Sequence, residues 1–100
     1  MDININPINT KDRPWIVKLL TENWFSSIVI SRGKRYDASI LPGVVAKYQG
    51  SAVGLVTFHI EFHECQIITL DSWLENFGVG SALINAVRLE ALITGCSRMW

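Results

Sequence analysis

The stretch Ile67-Ile68-Thr69-Leu70-Asp71-Ser72-Trp73-Leu74-Glu75-Asn76-Phe77-Gly78-Val79-Gly80-Ser81-Ala82-Leu83 decides how this chain is read. Its apolar and β-branched start suits a strand, and a polar loop follows. Gly78 and Gly80 then open a helix. Glycine has no Cβ, so successive backbone N–H groups can approach a phosphate, and a helix N-terminus adds roughly half a positive charge. The pattern points to pyrophosphate binding, although two glycines before a helix also mark an ordinary tight turn. Other phosphate loops fit poorly. A Gly-Lys-Ser/Thr ending is missing, and Leu83 stands where a dinucleotide fingerprint needs its third glycine.

Beyond the glycines, Gly78 to Thr94 reads as a helix with Val79, Leu83, Ala86, Val87, Glu90 and Ala91 spaced along one flank, and Gly95 stops it. Cys96 to Trp100 begins another strand. Before the quoted stretch, a strand from Cys65 to Leu70 follows the His63-Glu64 corner. Val44 to Tyr48 and Ala52 to Phe62 are also strand-like, with Gln49-Gly50-Ser51 as the turn between them. The three strands form an antiparallel meander. Upstream, Ile3, Ile5 and Ile8 give a short first strand broken at Pro7, and Thr10 or Asp12 caps a helix. Pro14 suits that helix's first turn, and Trp15, Ile16, Leu19, Leu20 and Trp24 form its apolar stripe. Ile28 to Ile30 is a short β-branched run, and Ser31 to Asp37 reads as a mobile, basic, glycine-containing loop.

With 49% hydrophobic residues, the 100-residue chain supports one core, so residues 1–100 are read as a single domain. Nine basic and nine acidic side chains cancel, so no overall field points to nucleic acid or an anionic membrane. The sequence shows neither a signal peptide nor a membrane-spanning apolar run, and a cytoplasmic location is expected. Cys65 and Cys96 lack a CxxC pair or a His at ligand spacing, so they read as reduced, partly buried thiols and no metal is expected.

The strand ending Leu70-Asp71, the loop, and Glu75-Asn76-Phe77-Gly78-Val79-Gly80-Ser81-Ala82-Leu83 resemble motif A of the GNAT superfamily of N-acyltransferases, written Arg/Gln-x-x-Gly-x-Gly/Ala. The element order matches over nearly the whole chain. The resemblance implies an α+β fold: a mixed, mostly antiparallel sheet flanked by helices and opened into a cleft beside the family's fourth strand. Two departures stand out. Glu75 occupies the family's Arg/Gln position, where a carboxylate repels a pyrophosphate unless it points to solvent. The chain also stops at Trp100, where the family's fifth strand begins. A C-terminal part is therefore expected to be missing, including the tyrosine that often protonates the leaving thiolate.

The implied function is acetyl-CoA-dependent N-acetyl transfer by direct attack of an amine, small-molecule or peptide, on the thioester. Pantetheine would pair with the backbone of Ile68, Thr69 and Leu70, one of whose N–H groups polarises the thioester carbonyl. The pyrophosphate would rest on the N–H groups of Asn76, Gly78, Val79, Gly80 and Ser81. Glu64 matches the glutamate base of the histone-acetylating branch, with a raised pKa expected if it is partly buried, or else is a solvated corner residue. Alternation groups His59, Glu61 and His63 on one strand face, and Asp71 ends the strand beside the thioester position. The Arg32-Gly33-Lys34-Arg35-Tyr36 loop lies where the family's acceptor site is walled, to choose an anionic substrate, to contact CoA phosphate, or simply as a solvated loop. The four tryptophans read as core or interface aromatics. The alternative is a non-catalytic acyl-CoA-binding or dimerising module, or a fragment completed by another chain. An open sheet edge favours a homodimer, with strand exchange as one form of it.

Overall fold

In the computed structural model, which describes residues 2–74 and 76–100, β1 (Asn4–Pro7) leads through a 3-10 turn (Thr10–Asp12) into α1 (Arg13–Trp24). Asn9, rather than Thr10, opens this turn: its side chain accepts from the Asp12 N–H, and the Asp12 carboxylate accepts from the Asn9 N–H. Asp12 also takes the Trp15 indole N–H at 3.0 Å. β2 (Ile28–Ser31), β3 (Lys34–Asp37), β4 (Gly43–Tyr48), β5 (Ser51–Glu61), β6 (Glu64–Ser72), α2 (Val79–Ile93) and β7 (Arg98–Met99) follow.

The basic segment expected to be a mobile loop is a β2–β3 hairpin pairing Ile28 with Asp37 through Ser31 with Lys34. Its turn, Arg32-Gly33, has both φ values positive, 52° and 76°. That conformation matches the right-handed twist of the flanking strands. Gln49-Gly50 and Phe62-His63 do the same between β4 and β5 and between β5 and β6. Ser51 thus belongs to a strand. His63 sits in a turn, which removes it from the face it was expected to share with His59 and Glu61.

The main sheet has the order β1-β4-β5-β6-β7, antiparallel except for the β6–β7 pair. Alternation along its strands divides the apolar residues between two faces. Val44, Ala46, Val56, Phe58 and Cys65 meet Val79, Leu83, Val87 and Ala91 of α2, whereas Val45 and Leu55 meet Ile16 and Leu20 of α1 and Ala38. The chain is therefore α+β, with a helix on each side of a mixed, mostly antiparallel sheet.

Gly54 sets how closely α2 approaches. A Cβ there would lie 2.6 Å from Val79 Cγ1 and 2.9 Å from Leu83 Cδ1. At the other end of α2, the Cys96 N–H donates to Ala91 O and the Gly95 N–H to Leu92 O, with Gly95 at φ 82°. This pair of bonds closes the helix through a left-handed residue that glycine adopts freely. No helix among the described residues is long and apolar enough to cross a membrane.

Candidate functional site

Along β6 the ladder with β5 breaks once. Phe58 stands opposite Ile67 and Thr57 opposite Thr69, leaving Ile68 as an additional residue without a partner. Such a bulge frees the extra residue's backbone and bends the strand. Below it, the Ile67 N–H donates to Trp100 O at 2.7 Å, the last bond joining β6 to β7 among the described residues. Above it, the Trp73 N–H donates to Val53 O. Counting back from Trp73 turns Asp71 and Thr69 toward β5 and leaves Leu70 and Ser72 facing the open edge. By this count Leu70 and Ser72 present backbone to the edge where β6 leaves β7, with Ile68 at the bulge beside them. Thr69 is tied inward, its buried hydroxyl 2.6 Å from that of Thr57.

Past Ser72 the chain enters the glycine turn. Asn76 and Gly78 both have positive φ, 67° and 71°. Gly78 is the N-cap of α2 and its carbonyl takes the Ala82 N–H, so Val79, Gly80 and Ser81 have no acceptor within the helix. Among the described residues, no side chain caps this end. A Cβ at Gly78 or Gly80 would meet nothing within 4 Å, whereas Val79 is buried against the core. Packing fixes the helix while its N–H end stays open. The expectation for Glu75 lies outside the described residues.

Several side chains with acid–base chemistry gather on the opposite face of the sheet, at the β2–β3 and β5–β6 turns. Arg32, Lys34, Tyr36, His59, Glu61, Phe62, Glu64, Gln66 and Trp100 line a cleft of about 180 Å³ there. Lys34 Nζ lies 3.0 Å from Glu61 Oε2, and the same oxygen is 3.4 Å from His59 Nε2. Lys34, followed by the His59 ring, holds the Glu61 carboxyl below its ordinary range, and Glu61 raises the Lys34 ammonium in return. The buried Tyr36 ring is 5.1 Å from that of His59, fixing the imidazole from behind. Glu64 is partly exposed, with Oε1 3.8 Å from Arg98 Nη1.

Glu64 and Gln66 share the cleft, but Glu64 precedes Ile68 by four residues, about 13 Å along an extended strand. His59 is two residues nearer, being registered with Gln66. Asp71 is not in the cleft; its carboxylate accepts the Trp24 indole N–H at 3.1 Å and ties the end of α1 to β6. Arg32, Lys34 and Tyr36 of the basic segment do line the cleft, whereas Phe62, Gln66 and Trp100 were not singled out from sequence as cleft residues. Period-two counting from Glu64 reaches Gln66. Among the described residues, no group of three or more His, Cys, Asp or Glu is placed to hold a metal.

No family model matches the sequence. The ribosomal-protein-alanine N-acetyltransferase of Brucella melitensis biovar Abortus 2308 superposes with a TM-score of 0.75, at 19% identity, over 99% of this chain and 78% of that one. The fold is that of the GNAT acetyltransferases. The N-acetylglutamate synthase of Neisseria gonorrhoeae, solved with coenzyme A and N-acetyl-glutamate, gives a TM-score of 0.72 at 18% identity over 99% of this chain and 24% of its own. These identities establish the GNAT fold alone. In sequence, the chain is 40% identical over 96 residues to YdhI of Bacillus subtilis (strain 168), an uncharacterized protein. The match takes in 95% of this chain and 60% of YdhI, so the chain is short beside both YdhI and the GNAT structures it resembles.

Proposed function

We propose that this chain is the acyl-CoA-binding part of an acetyl-CoA-dependent N-acetyltransferase. The observation that carries the reading is the bulge at Ile68 beside the open, uncapped N-terminus of α2. Together they offer unpaired strand backbone and a cluster of free N–H groups on consecutive elements. Pantetheine adds to the β6 edge, and an N–H of Ile68 or Leu70 donates to the thioester oxygen as negative charge builds there. Thr69 supports this edge through its bond to Thr57. The pyrophosphate lies over Gly78, Val79, Gly80 and Ser81, with Asn76 at the entry.

The acceptor amine enters from the opposite face, through the cleft holding His59, Glu61 and Glu64. Its nitrogen bonds to the thioester carbon, the carbon–sulfur bond breaks, and the proton the nitrogen sheds on becoming an amide passes to the leaving sulfur, so coenzyme A departs as the thiol. Before attack the ammonium loses a proton to Glu64. Because Glu64 stands about 13 Å along the strand from Ile68, the proton reaches it through water rather than by direct contact at the thioester. Release of thiol from acetyl-CoA in the presence of primary amines tests the proposal. Amine-dependent release is expected, with Glu64→Gln lowering kcat by about 10²-fold or more and leaving acetyl-CoA binding unchanged. Release by no amine, together with acetyl-CoA binding, would favour a binding module.

That second reading has an observation of its own. On α2, Leu89, Leu92 and Ile93 are 61%, 66% and 81% exposed, a contiguous apolar surface of the kind that associates. Under this reading the chain forms a homodimer in solution. Light scattering that returns a monomer mass at micromolar concentration would reject it.

A further inference from the structure

Two cations, Arg32 and Lys34, and two carboxylates, Glu61 and Glu64, line the cleft at the β2–β3 and β5–β6 turns. Each of its carboxylates is already matched: Glu61 to Lys34 at 3.0 Å and Glu64 to Arg98 at 3.8 Å. Among the described residues, no carboxylate comes within ion-pair distance of Arg32. Because Arg98, from outside the lining, takes Glu64, Arg32 is the cleft cation left without a carboxylate. Arg32 is also held in place, because the tight turn fixes its backbone at φ 52° and its guanidinium lies over the Trp100 ring. Stacking on an indole restrains the plane of a guanidinium and leaves its N–H edges available. Those edges form a fork that fits a carboxylate through two parallel bonds.

Taking the acyl-transfer reading as its basis, we infer that the acceptor is a small amine that also carries a carboxylate, which Arg32 clamps. A simple cationic amine would meet an unbalanced positive charge at Arg32. A zwitterionic one places its carboxylate there and its ammonium toward Glu64 and Glu61. The cleft volume of about 180 Å³ favours a compact acceptor, since sites for drug-sized ligands run to roughly 300–1,000 Å³. Arg32 is accordingly the specificity-determining residue of the cleft, and Glu64 keeps the proton transfer.

The test is a titration of ¹⁵N-labelled protein, read by amide shifts, with β-alanine and γ-aminobutyrate and with their carboxamides, which lack the negative charge. The amino acids are expected to bind about tenfold or more tightly than the amides, as a charge-assisted bond provides, with shifts at Arg32–Lys34 and Glu64–Gln66. Arg32→Gln should erase that preference, and Arg35→Gln, which changes a hairpin residue outside the cleft lining, should preserve it. Amides that bind equally well, a preference that survives Arg32→Gln, equal loss in Arg35→Gln, or no binding by any of the four would each overturn the inference. A thermal shift with acetyl-CoA is run on the same protein. No stabilisation there, with the Arg32-dependent preference intact, would remove the acyl-transfer reading and leave the carboxylate clamp standing.

Discussion

At the residue scale, Cys65 shows how burial turns into pH dependence. It lies in the core beneath α2, and desolvation, with a smaller contribution from Cys96 and Glu90, pushes its thiol up to about 11. The unfolded chain loses that proton at a lower pH than the folded one does. The folded state therefore binds more protons between the two values, and stability falls as pH rises from about 9 toward 11. Cys65→Ala should flatten this alkaline slope in urea denaturation, even though the cavity it leaves lowers stability at every pH. An unchanged slope would place the titrating group elsewhere. The thiol should also resist alkylation at pH 8 in the folded protein.

Two elements place the site, and each rests on a local choice of residue. Phe62-His63 forms a tight turn in which neither residue is glycine, although both have positive φ, at 52° and 62°. Side chains with a Cβ adopt this region at a cost, so Phe62→Asn with His63→Gly should stabilise the chain by about 1–2 kcal/mol in chemical denaturation. The same change removes an aromatic wall of the cleft, so acceptor KM should rise as stability improves. Loss of stability would show that the side chains, not the turn geometry, hold this corner. At Gly54 the opposite holds. Gly54→Val forces its new side chain into Val79 and Leu83, which should cost about 1–3 kcal/mol and tilt the N-terminus of α2 away from β6. Acetyl-CoA affinity should fall with it.

Over the whole molecule, much of the architecture was legible because it rests on periodicity. The meander of β4, β5 and β6 showed as alternating runs separated by turns, and α2 showed as a stripe at helical spacing stopped by Gly95. The β2–β3 hairpin did not show, because Ser31, Lys34, Arg35 and Asp37 are polar on both sides of the turn and mask the alternation. The corner between β5 and β6 was read one residue late, at His63-Glu64 rather than Phe62-His63, for a related reason: a turn without Asn or Gly at its centre gives weak punctuation in the sequence. In the candidate site, the glycine turn could be read directly, whereas the bulge could not. Ile68 looks like any strand residue until its neighbours Ile67 and Thr69 are seen to pair with adjacent residues of β5. The cleft was least legible, because its ion pairs join segments 27 residues apart in the case of Lys34 and Glu61.

The central claim is that the open edge of β6 and the uncapped start of α2 form one acyl-CoA site. Its most direct test is the thermal unfolding of the wild-type chain and of Gly80→Asp with and without acetyl-CoA. A Cβ at Gly80 meets open space, so the substitution changes the surface offered to the phosphates and leaves the core intact. The account predicts that ligand in large excess over Kd raises the wild-type Tm by several degrees, on the order of 2–3 kcal/mol of stabilisation, and leaves the variant's unchanged. A wild-type Tm that does not move, or an equal rise in both proteins, would contradict it.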